Sequence, residues 1–155
     1  MLRNLLLLVC LSAPQVAAND YWLVINPDAS ALQKRIALHE GDGWCLHWQH
    51  SVAGFTVKDC FRIDAGRLLL ESSHQPDFAA GLGHIEGRGV QVSDGRGGYW
   101  IRDINSPLPH NSMRLRVGSK EVNHRLVFDD LNKISLSEPF ANQGIELYLQ
   151  PRTEN

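Results

Sequence analysis

Apolar and polar residues alternate along most of this chain in short runs, and Gly, Pro, Asn or Asp breaks the alternation at close intervals. The runs are 21–25, 34–39, 44–51, 55–63, 67–72, 88–93, 98–103, 112–117, 124–129, 132–137 and 144–149. A period of two places successive side chains on opposite faces of a strand, whereas a helix repeats its apolar stripe about every 3.6 residues. Many short strands at this spacing predict an all-β fold, an antiparallel β-sandwich or partly open β-barrel of about 8–11 short strands. The stretch that reads as helical lies around Asp28–Arg35 and would be a turn or two at most.

The clearest run starts at Trp44. Trp44, Leu46, Trp48, His50 and Val52 share one face, and Cys45, His47, Gln49 and Ser51 share the other. In the next run Phe55, Val57, Asp59, Phe61 and Ile63 oppose Thr56, Lys58, Cys60 and Arg62. The pair reads as a hairpin, and two registers keep its apolar faces together. A two-residue Ala53-Gly54 turn sets Trp48 opposite Asp59, with Asp59 a diagonal neighbour of His50 at roughly 7–8 Å. A slip of two residues sets Cys45 opposite Cys60, which suits a disulfide, and moves Asp59 about 13 Å along the strand from His50. The disulfide and the His50–Asp59 contact therefore compete.

The ends of the chain add a second kind of information. Residues 1–18 read as a cleavable signal peptide: Arg3, the apolar core Leu5–Leu11, then Val16-Ala17-Ala18 with small residues suited to cleavage before Asn19. The apolar run is too short to span a bilayer, which needs roughly 20 residues, and it meets Pro14. Cys10 sits too early, behind a bulky Val9, for lipid attachment. The expected mature chain, 19–155, is one domain's worth of sequence, with no second run able to cross a membrane. Removing Arg3 from the 15 basic residues leaves 14 against 17 acidic ones, a formal charge of −3. Nucleic acid is not the expected partner, because phosphate binding asks for a concentrated basic surface. In an oxidising compartment Cys45 and Cys60 can pair, or remain two buried thiols.

No self-contained catalytic set is legible. His50 and Ser51 are sequence neighbours on a strand and point to opposite faces, so they form no dyad. No Gly-x-Ser-x-Gly elbow is present. The seven histidines lack metal-ligand spacing of the His-Glu-x-x-His kind, and neither metal nor cofactor is expected. His50, on the apolar face, reads either as a core residue paired for stability or as the wall of a pocket. Gly81 and Gly83, in the glycine-rich run 78–89, read as a backbone surface for an anion or as a long connection across one end of the fold. Arg114 and Arg116 share an outer face, suited to an anion or simply to solvent.

Several runs taken in order resemble a small exported family known as the domain of unknown function 1850. They are Trp48-Gln49-His50-Ser51-Val52, Asp59-Cys60-Phe61, Ala80-Gly81-Leu82-Gly83, Gly97-Gly98-Tyr99-Trp100-Ile101, Arg116-Val117-Gly118-Ser119 and Asn123-His124-Arg125-Leu126. Ala53 stands where members of the family often carry Glu, and Cys45 and Cys60 are not features of the family. The resemblance implies a periplasmic accessory subunit of tripartite, TAXI-type TRAP transporters. Its expected partner is the membrane permease or the solute receptor, and His50, Ser51, Asp59, Gly81, Gly83, Asn123, His124 and Arg125 are the candidate binding residues. The alternative is a small-ligand or metal-binding β-barrel with His50, Asp59 and His124 in or near its pocket; an enzyme is a third reading.

Overall fold

The computed structural model describes residues 21–28, 33–50, 54–76 and 87–152. The expected leader 1–18, Ser51, Gly81 and Gly83 lie outside these described residues. The strands are β1 (Tyr21–Pro27), β2 (Lys34–Leu38), β3 (Gly43–Gln49), β4 (Thr56–Asp64), β5 (Arg67–Gln75), β6 (Val90–Ser93), β7 (Tyr99–Arg102), β8 (Ser106–Pro107), β9 (Ser112–Arg116), β10 (Arg125–Phe128), β11 (Lys133–Ser135) and β12 (Gly144–Pro151). They form two antiparallel sheets. The smaller has the order β2-β1-β12-β9; the larger runs β11-β10-β3-β4-β5-β7-β6, with β8 added beside β5. The fold is a sandwich and not a closed barrel.

Each sheet contributes its apolar alternate positions to the layer between them. From the small sheet come Leu23, Ile25, Ile145 and Leu147, all fully buried, and from the large one Trp44, Leu46, Phe61, Ile63, Leu68 and Leu126. Burial of this kind stabilises by about 25 cal/mol per Å² of apolar surface. The alternation seen in the sequence is thus the signature of sheets with one face in the core.

One expectation about local structure changes. Lys34 and Arg35, expected at the end of a short helix, lie in β2, where Arg35 faces Val24 and Lys34 faces Ile25 of β1. Pairing with an already buried strand outweighs the weak helical preference of this stretch. The α-helix of the described residues is instead the single turn α1 (Ser137–Phe140).

Of the two registers open to the hairpin, the structure takes one. β3 and β4 take the register with Cys45 opposite Cys60, Trp48 opposite Val57 and Leu46 opposite Asp59. The Cys45–Cys60 disulfide is formed. A two-residue turn would have forced Ala53 to positive φ, which only Gly, Asn or Asp accepts readily. The observed register leaves a connection longer than two residues between Gln49 and Thr56. It is held at its neck by the His50 N–H donating to the Phe55 carbonyl at 2.8 Å and the Gly54 N–H donating to the His50 carbonyl at 2.9 Å, with Gly54 at φ 70°.

Candidate binding site

Three of the runs quoted above converge at the end of the sandwich where β3 stops and β10 begins. The chain after β9 turns at 119–123, with the Val122 and Asn123 N–H groups both donating to the Ser119 carbonyl. Asn123 supplies the left-handed residue of this turn, at φ 52°, a conformation Asn tolerates better than most. Gly118 is required for a different reason: a Cβ there would stand 2.7 Å from the Val122 side chain. The Gln49 N–H then donates to the Val122 carbonyl at 2.7 Å, fastening the turn to the end of β3.

His124 holds this arrangement from inside. It is 7% exposed, and its ring stacks near-parallel on Trp48 with centroids 6.1 Å apart. Its Nδ1 accepts the Gly118 N–H at 3.0 Å. Its backbone N–H donates to the Ser137 Oγ at 2.9 Å, and its carbonyl accepts the N–H groups of Leu136 and Ser137. An accepting Nδ1 puts the ring proton on Nε2, and burial pushes the imidazole pKa below its usual 6.5. His124 is therefore a neutral scaffold residue whose Nδ1 lone pair is already in use. Its partners Gly118 and Ser137 come from opposite sides in sequence; Ser137 in particular carries no motif signal.

What this scaffold presents to solvent is a recess of about 460 Å³ lined by Gln49, His50, Gly54, Ser119, Glu121 and Val122. The His50 ring lies 5.2 Å from Phe55. The Ser119 hydroxyl donates to Glu121 and holds that carboxyl below its ordinary range. A larger cleft, about 600 Å³, opens between Ile36 and Leu38 of the small sheet and Phe128 and Ile134 of the large one. It contains none of the candidate residues.

Asp59 is not part of the recess. In the observed register it faces Leu46 on one side and Ser73 on the other, and the Ser73 hydroxyl donates to its Oδ1 at 2.7 Å. The alternative His50–Asp59 contact belongs to the register the hairpin does not adopt. Asp59, Ser73 and Gln75 form a polar strip on the inward face of the large sheet, continued by the Tyr99 hydroxyl, which donates to Gln75 at 3.3 Å. Burial raises the Asp59 pKa above 3.8, against the smaller opposing effects of Ser73 and Arg88. A raised carboxyl pKa means the folded state holds the proton more tightly than the unfolded chain. Its contribution to stability is complete below pH 3.8 and is lost as pH rises through the folded value. Asp59→Asn keeps an acceptor for Ser73 and removes the charge. Urea melts at pH 7 should show the variant more stable than the wild type, with the difference vanishing near pH 3. An equal gain at both pH values would count against a buried-charge penalty.

The opposite, outward face of the large sheet carries a feature that a linear reading does not show. Register places Arg125 of β10 opposite His47 of β3, His47 opposite Lys58 of β4, Lys58 opposite His74 of β5, and His74 opposite Trp100 of β7. Five side chains stand in one row across five strands. The Cys45–Cys60 disulfide lies in the next row. His74 Nε2 is bonded to the Asp94 carboxylate at 2.8 Å, and that carboxylate also accepts the N–H groups of Arg96 and Gly98. Lys58 Nζ and the Arg102 guanidinium lie 5.9 and 5.7 Å from the centre of the Trp100 ring, within reach of a cation–π attraction. Burial, then the positive charges of Arg125, Lys58 and Lys133 and the neighbouring His74, push the His47 pKa down to about 4. Of the basic candidates elsewhere, Arg114 is bound through one guanidinium nitrogen to both carboxylate oxygens of Asp28, at 2.8 and 3.0 Å.

Among the described residues no group of three or more His, Cys, Asp or Glu side chains is placed to hold a metal ion, and no helix is long and apolar enough to cross a membrane. Comparison with curated proteins gives no match, and comparison with solved structures gives none. A family model described as a domain of unknown function, DUF1850, matches residues 45–135. The matched stretch is more than half of the chain and contains most of β3, His124 with Gly118 and Trp48, and every member of the outward row. The chain belongs to the DUF1850 family.

Proposed function

We propose that this protein is an exported, periplasmic accessory module that binds a protein partner, and that the partner is the permease or the solute receptor of a TAXI-type TRAP transporter. The observation that carries the binding reading is the use made of His124. The most reactive side chain of the Asn123-His124-Arg125-Leu126 run is spent on Gly118 and Trp48, and what it supports is a rim of His50, Ser119 and Glu121 facing outward. Such a rigid scaffold under a polar rim suits recognition of a surface. The leader-like residues 1–18 support the compartment, and the family supports the transporter as partner.

The test is reversible cross-linking in intact cells that express the tagged full chain, followed by purification from the solubilised envelope and mass spectrometry. Recovery of a TRAP permease or receptor subunit above an exported control of equal size is the expected result. A bait that is exported and folded yet never recovers either subunit overturns the transporter assignment.

A further inference from the structure

We propose that the outward face of the large sheet, along the row Arg125–His47–Lys58–His74–Trp100, is a docking surface for a carboxylate-bearing segment of a partner protein. The inference rests on the reading that the protein binds a protein partner, and it adds to the rim of His50, Ser119 and Glu121 a second contact face and the chemistry that face recognises.

Charge complementarity carries the inference. The chain as a whole is slightly acidic, with a formal charge of −2, yet this face concentrates basic groups. Side chains directly opposite each other on neighbouring strands are about 4.5–5.5 Å apart at Cβ, and like charges so placed repel. Two of the basic groups on the face are partnered from within: His74 with Asp94 at 2.8 Å, and Arg62 with Glu71 at 3.0 Å. Lys58, Arg102, Arg125 and Lys133 have no ion pair among the described residues. A sheet face that only needed solubility would intersperse both signs, as this one does at its disulfide end, where Glu71, Asp103 and Asp129 lie with Arg62 and Arg102; the row from Arg125 to Trp100 holds no acidic side chain. His47 records the imbalance, since every charged or titratable group that faces it is basic: Arg125 and Lys133 from β10 and β11, Lys58 and His74 from β4 and β5. A carboxylate seated over His47, between Arg125 and Lys58, turns that repulsion into attraction.

The shape of the row favours a protein segment over a membrane surface. Lys58, Arg125 and His47 are half-buried, and the His74 side chain is 12% exposed. Carboxylates on side chains reach groups held flush with a sheet, whereas lipid headgroups in a plane meet only what stands proud of it. The row ends beside an apolar flank, where Val92 pairs with Trp100 and both Val90 and Val92 are exposed. An acidic segment that also carries an apolar side chain fits both parts.

The test uses the full chain and poly-L-glutamate as the probe, with binding followed by fluorescence anisotropy at low and at physiological salt. Lys58→Glu with Arg125→Glu should weaken binding by about tenfold or more, the paired Gln variants less, and the wild-type affinity should fall as salt screens it. Arg35→Glu, the same kind of charge change placed on β2, should stay within about twofold of wild type. Matching thermal melts exclude misfolding, and the Gln variants carry the test if the Glu pair unfolds. In the wild type the His47 ring, followed by NMR, should titrate at higher pH once poly-L-glutamate is present. Equal weakening by Arg35→Glu, or an unmoved His47 titration, overturns the docking row. Binding to phosphatidylglycerol vesicles without binding to poly-L-glutamate assigns the face to lipid and overturns the protein partner. These outcomes are independent of the envelope purification, which tests the transporter and not the face.

Discussion

Trp44→Ala should lower the stability of the fold by about 3–5 kcal/mol in urea melts, the range for removing a large ring from a packed interior. Trp44 is 1% exposed and stacks on Phe61 with ring centroids 4.5 Å apart and planes 26° from parallel. It sits on β3, flanked by β10 and β4, with Phe128 and Phe61 as its register neighbours. No edge is close enough for the cavity to be filled by collapse of a loose strand. Trp44→Phe should behave very differently. The indole N–H is buried and has no hydrogen-bond partner among the described residues. An orphaned buried donor costs about 1–3 kcal/mol, and Phe removes that cost while keeping a ring against Phe61. The expected loss for Phe is about 1 kcal/mol or less. If Phe proves as damaging as Ala, the orphaned N–H is not a liability and the size of the ring decides the whole effect.

Reduction of the Cys45–Cys60 bond should cost about 3 kcal/mol, the loop-entropy value for a cross-link of this span, since the two cysteines are 15 residues apart. The bond joins register partners on neighbouring strands of the large sheet, so it constrains the unfolded chain where the core hairpin must form. It also excludes the competing register, in which Asp59 would move opposite Trp48. Urea melts with and without reductant measure the effect. The wild type should lose stability on reduction, and Cys45→Ser with Cys60→Ser should start low and ignore the reductant. A double variant as stable as the oxidised wild type would show that the pairing of β3 and β4 is set entirely by side-chain packing.

Most of the strands were legible because one face of each sheet is dry. Each alternating run from 21–25 to 144–149 contains or overlaps a strand of the fold. β8 is not legible, because two residues, Ser106 and Pro107, are too few to show a period. The run at Lys34–Leu38 was harder, since Lys, Arg, Ala and Leu serve a helix at least as well as a strand, and only β1 beside it decides. The bulge in β5 was not legible either: the register shifts between Cys60 and Phe61, so Glu71 is skipped and Ser73 is brought over Asp59. The binding residues divide the same way. His124 and Asn123 stood out as a motif, but the donors and acceptors that fix their roles, Gly118 and Ser137, are known only from the turn and the one-turn helix meeting in space. Arg125, His47, Lys58, His74 and Trp100 are spread from 47 to 125, and no local pattern reveals that five strands bring them abreast.

The pairing of β1 with β12 has a consequence for how the chain is assembled. Tyr21 is opposite Pro151 and Ile25 is opposite Leu147, so the first strand of the fold finds its central neighbour only at the far end of the sequence. The β3–β4–β5 meander closes through short connections, whereas β1 against β12 must close a loop of most of the chain, which is slow to form. A chain synthesised from its N-terminal end therefore holds β1 waiting, with β2 beside it, until β12 has followed. During that interval the apolar faces of Leu23 and Ile25 lack the strand that completes their sheet. That exposed half-sheet is the stage of assembly at which a chaperone has most to protect.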